Sequence, residues 1–270
     1  MPVNLVTAHK LEALPLIDYF GLQPLDDGGP ASIYTNGQDI RLIISGMGKA
    51  ASTAGVMRLA GVDSKERDRF AAWLNFGIAG HQNLSPGTFF SAQKIIDRTT
   101  GTAYYPPIGK HCEQLSDLIS VDEPETTYPA NAGYDMEGSA FFAAATSIST
   151  TELVRCCKVV SDNPDYPVSK VTRDTIRDWI GGCLAHVQSV VQELTAMAEE
   201  YNRAHALPDS YYVLQNYPGI SVTQQHQLRR LAQQLQALSR EPVLQELAAT
   251  PPRTVDQLFA HLRLALDASI

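Results

Sequence analysis

Apolar residues along this chain gather in short continuous runs, each closed by polar or glycine-bearing punctuation and followed by a stretch with helical spacing. Val3–Thr7 opens the series and reads as a strand. Behind it, Leu11, Leu14, Ile17 and Phe20 share one face of a predicted helix. "RLIISGMG" at 41–48 is a second apolar run ending in glycines, and "KAASTAGVMRLAG" after it has small-residue helical character. "FAAWLNFGIAG" at 70–80 repeats the plan, an apolar run that closes in a glycine-bearing turn. "TFFSAQKIID" (88–97) and "ELVRCCKVVSD" (152–162) are rich in strand formers. A long helix is predicted over 172–203, with Gly181 and Gly182 as its weak point. Strands alternating with helices predict an α/β fold with a largely parallel sheet.

Past residue 205 the pattern changes. "HALPDSYYVLQNYPGISVT" carries prolines and tyrosines with no sustained period. Leu228, Leu231, Leu235 and Leu238 then recur at helical spacing, and "PVLQELAAT" and "TVDQLFAHLRLAL" predict shorter helices. The expected organisation is one α/β domain over residues 1–204 and a helical extension over 205–270. No chemistry-bearing cluster marks the extension.

Composition narrows the partners. The 270 residues are 44% hydrophobic and 19% charged, enough for a sizeable core. A net charge of −8 with no basic run speaks against a nucleic-acid partner. No 18-residue apolar stretch is present, so no membrane partner is expected. The start, "MPVNLVTAHKLEALP", lacks the basic residues and long apolar run of a signal peptide. Cys112, Cys156, Cys157 and Cys183 show no CxxC spacing, and the adjacent pair would face opposite sides of a strand. They read as reduced, mostly buried cysteines of a cytoplasmic protein.

Candidate chemistry starts from "YDMEGSAFFAAA" at 134–145, where Asp135 and Glu137 precede an apolar helical run. Acids suit a helix start, whose N–H groups are unpaired. Glu12 and Asp162 stand in comparable places, one just after the first strand and one at the end of a later strand. Open α/β sheets bind ligands beyond the carboxyl ends of their strands. Three acids there suit the cleavage of an N-ribosidic bond, which builds positive charge on the sugar. That reaction needs an acid for the departing base, an acceptor for the ribose hydroxyls and a base for the attacking water. Plainer readings exist for each: Glu12 as a solvated acid in a first helical turn, Asp162 as an Asx-turn residue ahead of Pro164, and His9 and His81 as structural histidines.

Four segments carry a family resemblance over residues 3 to about 200. "SGMGKAAS" (45–52), "NFGIAG" (75–80), "DMEGSA" (135–140) and "KVVSDNPD" (158–165) resemble, in order, motifs of the purine nucleoside phosphorylase and nucleosidase superfamily. Within it, the resemblance is to the 5′-methylthioadenosine/S-adenosylhomocysteine nucleosidase branch. It implies a three-layer α/β/α fold with a central mixed sheet, followed here by a C-terminal helical extension. It also implies roles: Glu137 accepts from the ribose 2′- and 3′-hydroxyls, and Met136 packs against the sugar. Asp162 serves purine N7 with Ser161 steadying it, and Glu12 activates water. Met47 and Ile78 line the pocket. The resemblance implies a homodimer and no metal or organic cofactor.

Departures from the pattern bear on the reaction. Ile78 replaces the family's turn serine, and Asn75 stands where the bacterial phosphorylases have an arginine. The segment before "DMEGSA" is short and lacks a match to the aromatic residue that stacks on the purine, leaving Tyr128 or Tyr134 as substitutes. The expected activity is hydrolysis of a purine nucleoside, a 5′-modified adenosine. The alternatives are a phosphate-dependent phosphorylase and a non-catalytic nucleoside-binding protein.

Overall fold

Strand β1 (Val3–Thr7) is flanked on both sides by parallel partners, β4 (Ile40–Ile44) and β5 (Ala72–His81), in the computed structural model, which describes residues 3–25, 33–62, 70–110 and 114–267. Two compact units are present, Met1–Asn202 and Arg203–Ile270. In the first, helix α1 (Lys10–Phe20) follows β1, and the short strands β2 (Gln23–Leu25) and β3 (Ile33–Thr35) extend the sheet beyond β4. Helix α2 (Lys49–Val62) leads to β5, then β6 (Phe89–Asp97), β7 (Ala103–Tyr104), β8 (Leu115–Ser120) and β9 (Gly133–Asp135). Helix α3 (Gly138–Ile148), strand β10 (Val154–Asp162) and helix α4 (Arg173–Ala204) complete the order.

The ten-residue strand β5 organises this sheet. Its residues 72–75 pair with β1 on one edge, and 73–80 pair with β10 on the other. Its last two residues, Gly80 and His81, turn to antiparallel β9. β9 pairs with β8, β8 with β6, and β6 with β10, so the mixed sheet curls round and closes on β5. Closure gives β5, β6 and β10 a strand partner on both edges over part of their length.

Period-2 alternation assigns the two faces of the sheet. Leu5, Leu42, Leu74, Phe76 and Val159 pack with Leu16 of α1 and Val187 and Leu194 of α4. Val6, Ile43, Trp73, Phe90 and Val160 pack with Val56 and Leu59 of α2 and Phe141 of α3. This is a three-layer α/β/α arrangement. Helices on both faces explain why the strands read as continuous apolar runs instead of alternating ones.

Several local expectations change. The buried residues of α1 are Glu12, Ala13 and Leu16, whereas Leu14 is 40% exposed. The helix turns this way because the Glu12 side chain points back and inward to backbone N–H groups. "NFGIAG" is not a turn but the interior of β5. Helix α4 runs unbroken through Gly181 and Gly182, which lie exposed opposite a buried stripe from Ile180 to Ala198. Burial of that stripe outweighs a penalty of about 1 kcal/mol per glycine. Cys156 and Cys157 join opposite faces of the sheet, and both are buried, as is Cys183. Cys112 lies outside the described residues.

The second unit consists of α5 (Asp209–Gln215), α6 (Val222–Ala237), α7 (Glu241–Ala249) and α8 (Val255–Asp267). Leu228 and Leu235 of α6 are fully buried with Leu214, Leu244, Leu258 and Leu262. Leu238 falls just past the end of α6 and is exposed. Ser221 and Gln224 form a reciprocal capping box at its start. Among the described residues, no helix is long and apolar enough to cross a membrane.

One ion pair sits deep in the first unit. Lys158 Nζ on β10 lies 2.9 Å from Asp135 Oδ2 on β9, with 2% and 0% of the two side chains exposed. Asp135 Oδ1 also accepts from Ser120 Oγ at 2.6 Å, and Oδ2 from the Gly138 N–H at 2.8 Å. Burial alone would lower the Lys158 pKa, but the neighbouring Asp135 and Glu137 charges reverse this and hold it raised. Removing one member strands a buried charge. Lys158→Met should therefore cost about 3–5 kcal/mol in urea unfolding. Adding Asp135→Asn should recover most of that loss, since the amide oxygen still accepts from Gly138. A single variant as stable as the wild type would contradict this.

Candidate active site

The carboxyl ends of β1, β4, β5, β9 and β10 surround a cavity of about 310 Å³ within the first unit. All seven residues singled out from the sequence line it: Glu12, Met47, Ile78, Met136, Glu137, Ser161 and Asp162. The volume lies at the small end of ligand sites. Leu11, Val121, Val168 and Ile176 add an apolar wall. Among the described residues lining it, there is no lysine or arginine.

Glu12 is not a solvated helix-start acid, being 5% exposed. Its Oε2 accepts from the N–H groups of Ala8 (3.0 Å) and His9 (2.9 Å), and its Oε1 from that of Ile78 (3.0 Å). The carboxylate thereby fills the stretch of β5 between the part paired with β1 and the part paired with β9. Strand β5 is bare at this point for a steric reason. A Cβ on Gly77 would lie 2.6 Å from Glu12 Oε1. A carboxylate has room for about four accepted hydrogen bonds, so three backbone donors leave one position open. His9 caps α1, its Nδ1 accepting from the Leu11 N–H at 3.1 Å, and its exposed ring borders the cavity.

Glu137 precedes α3 but makes no capping bond; Asp135 does the capping instead. Freed from that task, Glu137 sends Oε1 to the Gly48 N–H at 2.6 Å, in the "SGMG" turn. Met47 in that turn is 69% exposed. Burial raises the Glu137 pKa above its ordinary value, with Lys158 opposing and Asp135 and Glu12 reinforcing the rise. Lys49, next in the turn, faces elsewhere, 2.9 Å from both Asp97 and Asp122.

Asp162 ends β10 and is 7% exposed. It is not the Asx-turn residue. Asn163 takes that part, its Oδ1 accepting from the N–H groups of Asp165 (3.0 Å) and Tyr166 (2.7 Å). Asp162 Oδ1 accepts from Ser161 Oγ at 2.5 Å, and Oδ2 accepts from the Tyr128 hydroxyl. Tyr128 is thus not a purine-stacking side chain. Tyr134 borders the cavity, its hydroxyl accepting from the Ala130 N–H at 2.8 Å.

Asn75, which the sequence marks only as a departure from the phosphorylase arginine, and Glu125, which it does not mark, lie close by. Asn75 is buried, bonded to the Val6 carbonyl (3.1 Å) and the Cys156 thiol (3.3 Å). Glu125 borders the cavity but is saturated by Thr126, Thr127 and Arg98. The Thr127 hydroxyl and N–H, then Arg98, hold its pKa down to about 2. An acid followed by two threonines, "EPETT", was the available signal.

No protein-family model and no curated protein sequence matches this chain. Solved structures do. The Streptococcus pneumoniae MTA/SAH nucleosidase in complex with 8-aminoadenine is 20% identical, with 72% of this chain and 100% of that one covered and a TM-score of 0.56. The Arabidopsis thaliana 5′-methylthioadenosine nucleosidase is 18% identical, covering 72% and 97%, with a TM-score of 0.59. The Helicobacter pylori futalosine hydrolase is 13% identical, covering 72% and 98%, with a TM-score of 0.56. This chain has the nucleosidase fold. The cavity described above lies at the carboxyl edge of that fold's sheet.

The raised Glu137 pKa within the nucleosidase fold has a measurable sign. Between the unfolded value, near 4.5, and the raised folded value, the native state binds the proton more tightly than the unfolded chain does. Stability therefore falls as pH rises through that window. Glu137→Gln keeps the acceptor for Gly48 and removes the titration. Its melting temperature should rise relative to wild type as pH climbs above the unfolded value, by roughly 2–4 °C per kcal/mol relieved. A difference that does not vary with pH would contradict it.

Proposed function

We propose that this protein hydrolyses the N-ribosidic bond of a purine nucleoside, a 5′-modified adenosine of the methylthioadenosine or S-adenosylhomocysteine type. The observation that carries the reading is the convergence of Glu12, Glu137 and Asp162, distant in sequence, on one cavity. Two nucleosidases of like fold are named for methylthioadenosine, one of them also for S-adenosylhomocysteine, which supports the choice.

In this reading Asp162 gives its proton to purine N7 as the C1′–N9 bond breaks, and the electron pair of that bond leaves with the base. Glu137 accepts from the ribose hydroxyls, a task for a group with acceptors only. Its position beside the sugar also places negative charge near the developing cation. Glu12 takes a proton from water through its remaining acceptor position as the water oxygen bonds to C1′. Met136 packs against the sugar, and Met47 and Ile78 line the side of the 5′ substituent. Water is favoured over phosphate because acids line the cavity and no described lysine or arginine does. Phosphate would need cationic partners.

Adenine release from 5′-methylthioadenosine, assayed with and without phosphate, tests the reaction. Release should not depend on phosphate. Asp162→Asn should lower turnover by roughly two to four orders of magnitude while largely preserving binding. Wild-type enzyme should prefer 6-amino over 6-oxo purines, since a carboxylate oxygen accepts from the amino group. Unchanged turnover in the variant would remove Asp162 as the acid, and a strict need for phosphate would replace the hydrolase with a phosphorylase.

A further inference from the structure

The segment between β8 and β9 supplies Asp162 with a second hydroxyl. Tyr128 is 2% exposed and does not line the cavity, yet its hydroxyl donates to Asp162 Oδ2. Ser161 Oγ holds the other oxygen. Both oxygens of the acid therefore carry hydroxyl donors before any ligand arrives.

The backbone goes out of its way to make this contact. Tyr128 has φ 47, in the left-handed region that a tyrosine rarely adopts. Such a conformation persists where the surroundings over-determine it. The segment is tied down on both sides, by Arg98 to Glu125 at 2.5 Å and by Ala130 to the Tyr134 hydroxyl. Strand β5 also makes way. A Cβ on Gly80 would lie 2.7 Å from Tyr128 Cε1 and 2.7 Å from Asp162 Oδ2. Burial, then Asp162 itself, pushes the Tyr128 hydroxyl pKa far up, so the group stays a donor at any working pH.

We propose that Tyr128 is a positioning residue for Asp162, orienting its carboxyl group and stabilising the carboxylate left when the proton passes to the base. The inference rests on the reading of Asp162 as the acid. When that proton moves to N7 and the C1′–N9 electrons leave with the purine, the new negative charge on Asp162 is met by two hydroxyl donors already in place. Nothing has to reorganise at that moment. Donors to the charged form favour it over the neutral acid, so losing one weakens the acid.

Tyr128→Phe removes the hydroxyl and keeps the ring against Gly80. With carboxyl-13C aspartate, the Asp162 signal, assigned through Asp162→Asn, can be followed against pH in the ligand-free protein. Its midpoint should rise by about one pH unit in Tyr128→Phe, and 3-fluorotyrosine at 128, a stronger donor, should lower it. With 5′-methylthioadenosine, kcat should fall roughly ten- to a hundredfold, the worth of a hydrogen bond to a charged group. KM should stay within about threefold, and the alkaline limb of the kcat profile should move up with the midpoint. A midpoint that moves in neither variant overturns the proposal, whatever the wild-type activity. A midpoint that moves in a protein releasing no base supports the Tyr128–Asp162 coupling and overturns the nucleosidase reading instead.

Discussion

The buried Lys158–Asp135 ion pair governs the carboxyl edge of the sheet. Two charges taken out of water are tolerated only when their remaining hydrogen-bonding capacity is met. Ser120 and Gly138 meet it for Asp135. The pair links β10 to β9, so it fixes the strand that ends in Asp162 relative to the strand that leads into Glu137. Asp135, by capping α3, also releases Glu137 to face the cavity. Lys158 further supplies positive charge beneath a site otherwise crowded with carboxylates.

Around that pair, the acids are held by neutral donors. Backbone N–H groups of Ala8, His9 and Ile78 hold Glu12, the Gly48 N–H holds Glu137, and two hydroxyls hold Asp162. Neutral donors fix direction without cancelling charge. The acids thus keep a defined aim while the cavity stays negative, which suits a reaction whose sugar turns cationic. The same logic accounts for Gly77 and Gly80. A strand that touches two buried carboxylates at these points has no space for side chains there.

Much of this was legible in the sequence because it was local. Runs such as "LVRCCKVV" are continuous because helices cover both faces, and acids at strand ends mark the ligand edge of such sheets. Closure of the sheet was not legible, since it depends on β9, three residues long, and on a two-residue pairing with β5. On α1, Ile17 and Phe20 pack on the core as their spacing predicts, but Leu14 faces solvent because Glu12, a charged residue, turns inward to three amides. "NFGIAG" suggested a turn because glycines usually punctuate, whereas these make room for side chains. Asp162 and Asn163 compete for the same turn in sequence, and only the neighbouring amides settle which one takes it. The contact from Tyr128 spans 34 positions and needs a backbone conformation that no tyrosine signals.

The pairing of β10 has a consequence for biosynthesis. This one strand joins β5, whose pairing begins about eighty residues earlier, to β6, while the other way round the ring runs through β9 and β8. Until residue 162 has left the ribosome, β5 and β6 each expose an unpaired edge. Lys158 and Asp162 arrive on the same nine residues that seal them. Formation of the ring and completion of the acid cluster are therefore a single late event in the life of the chain, with loop-closure entropy opposing it until β10 is in place.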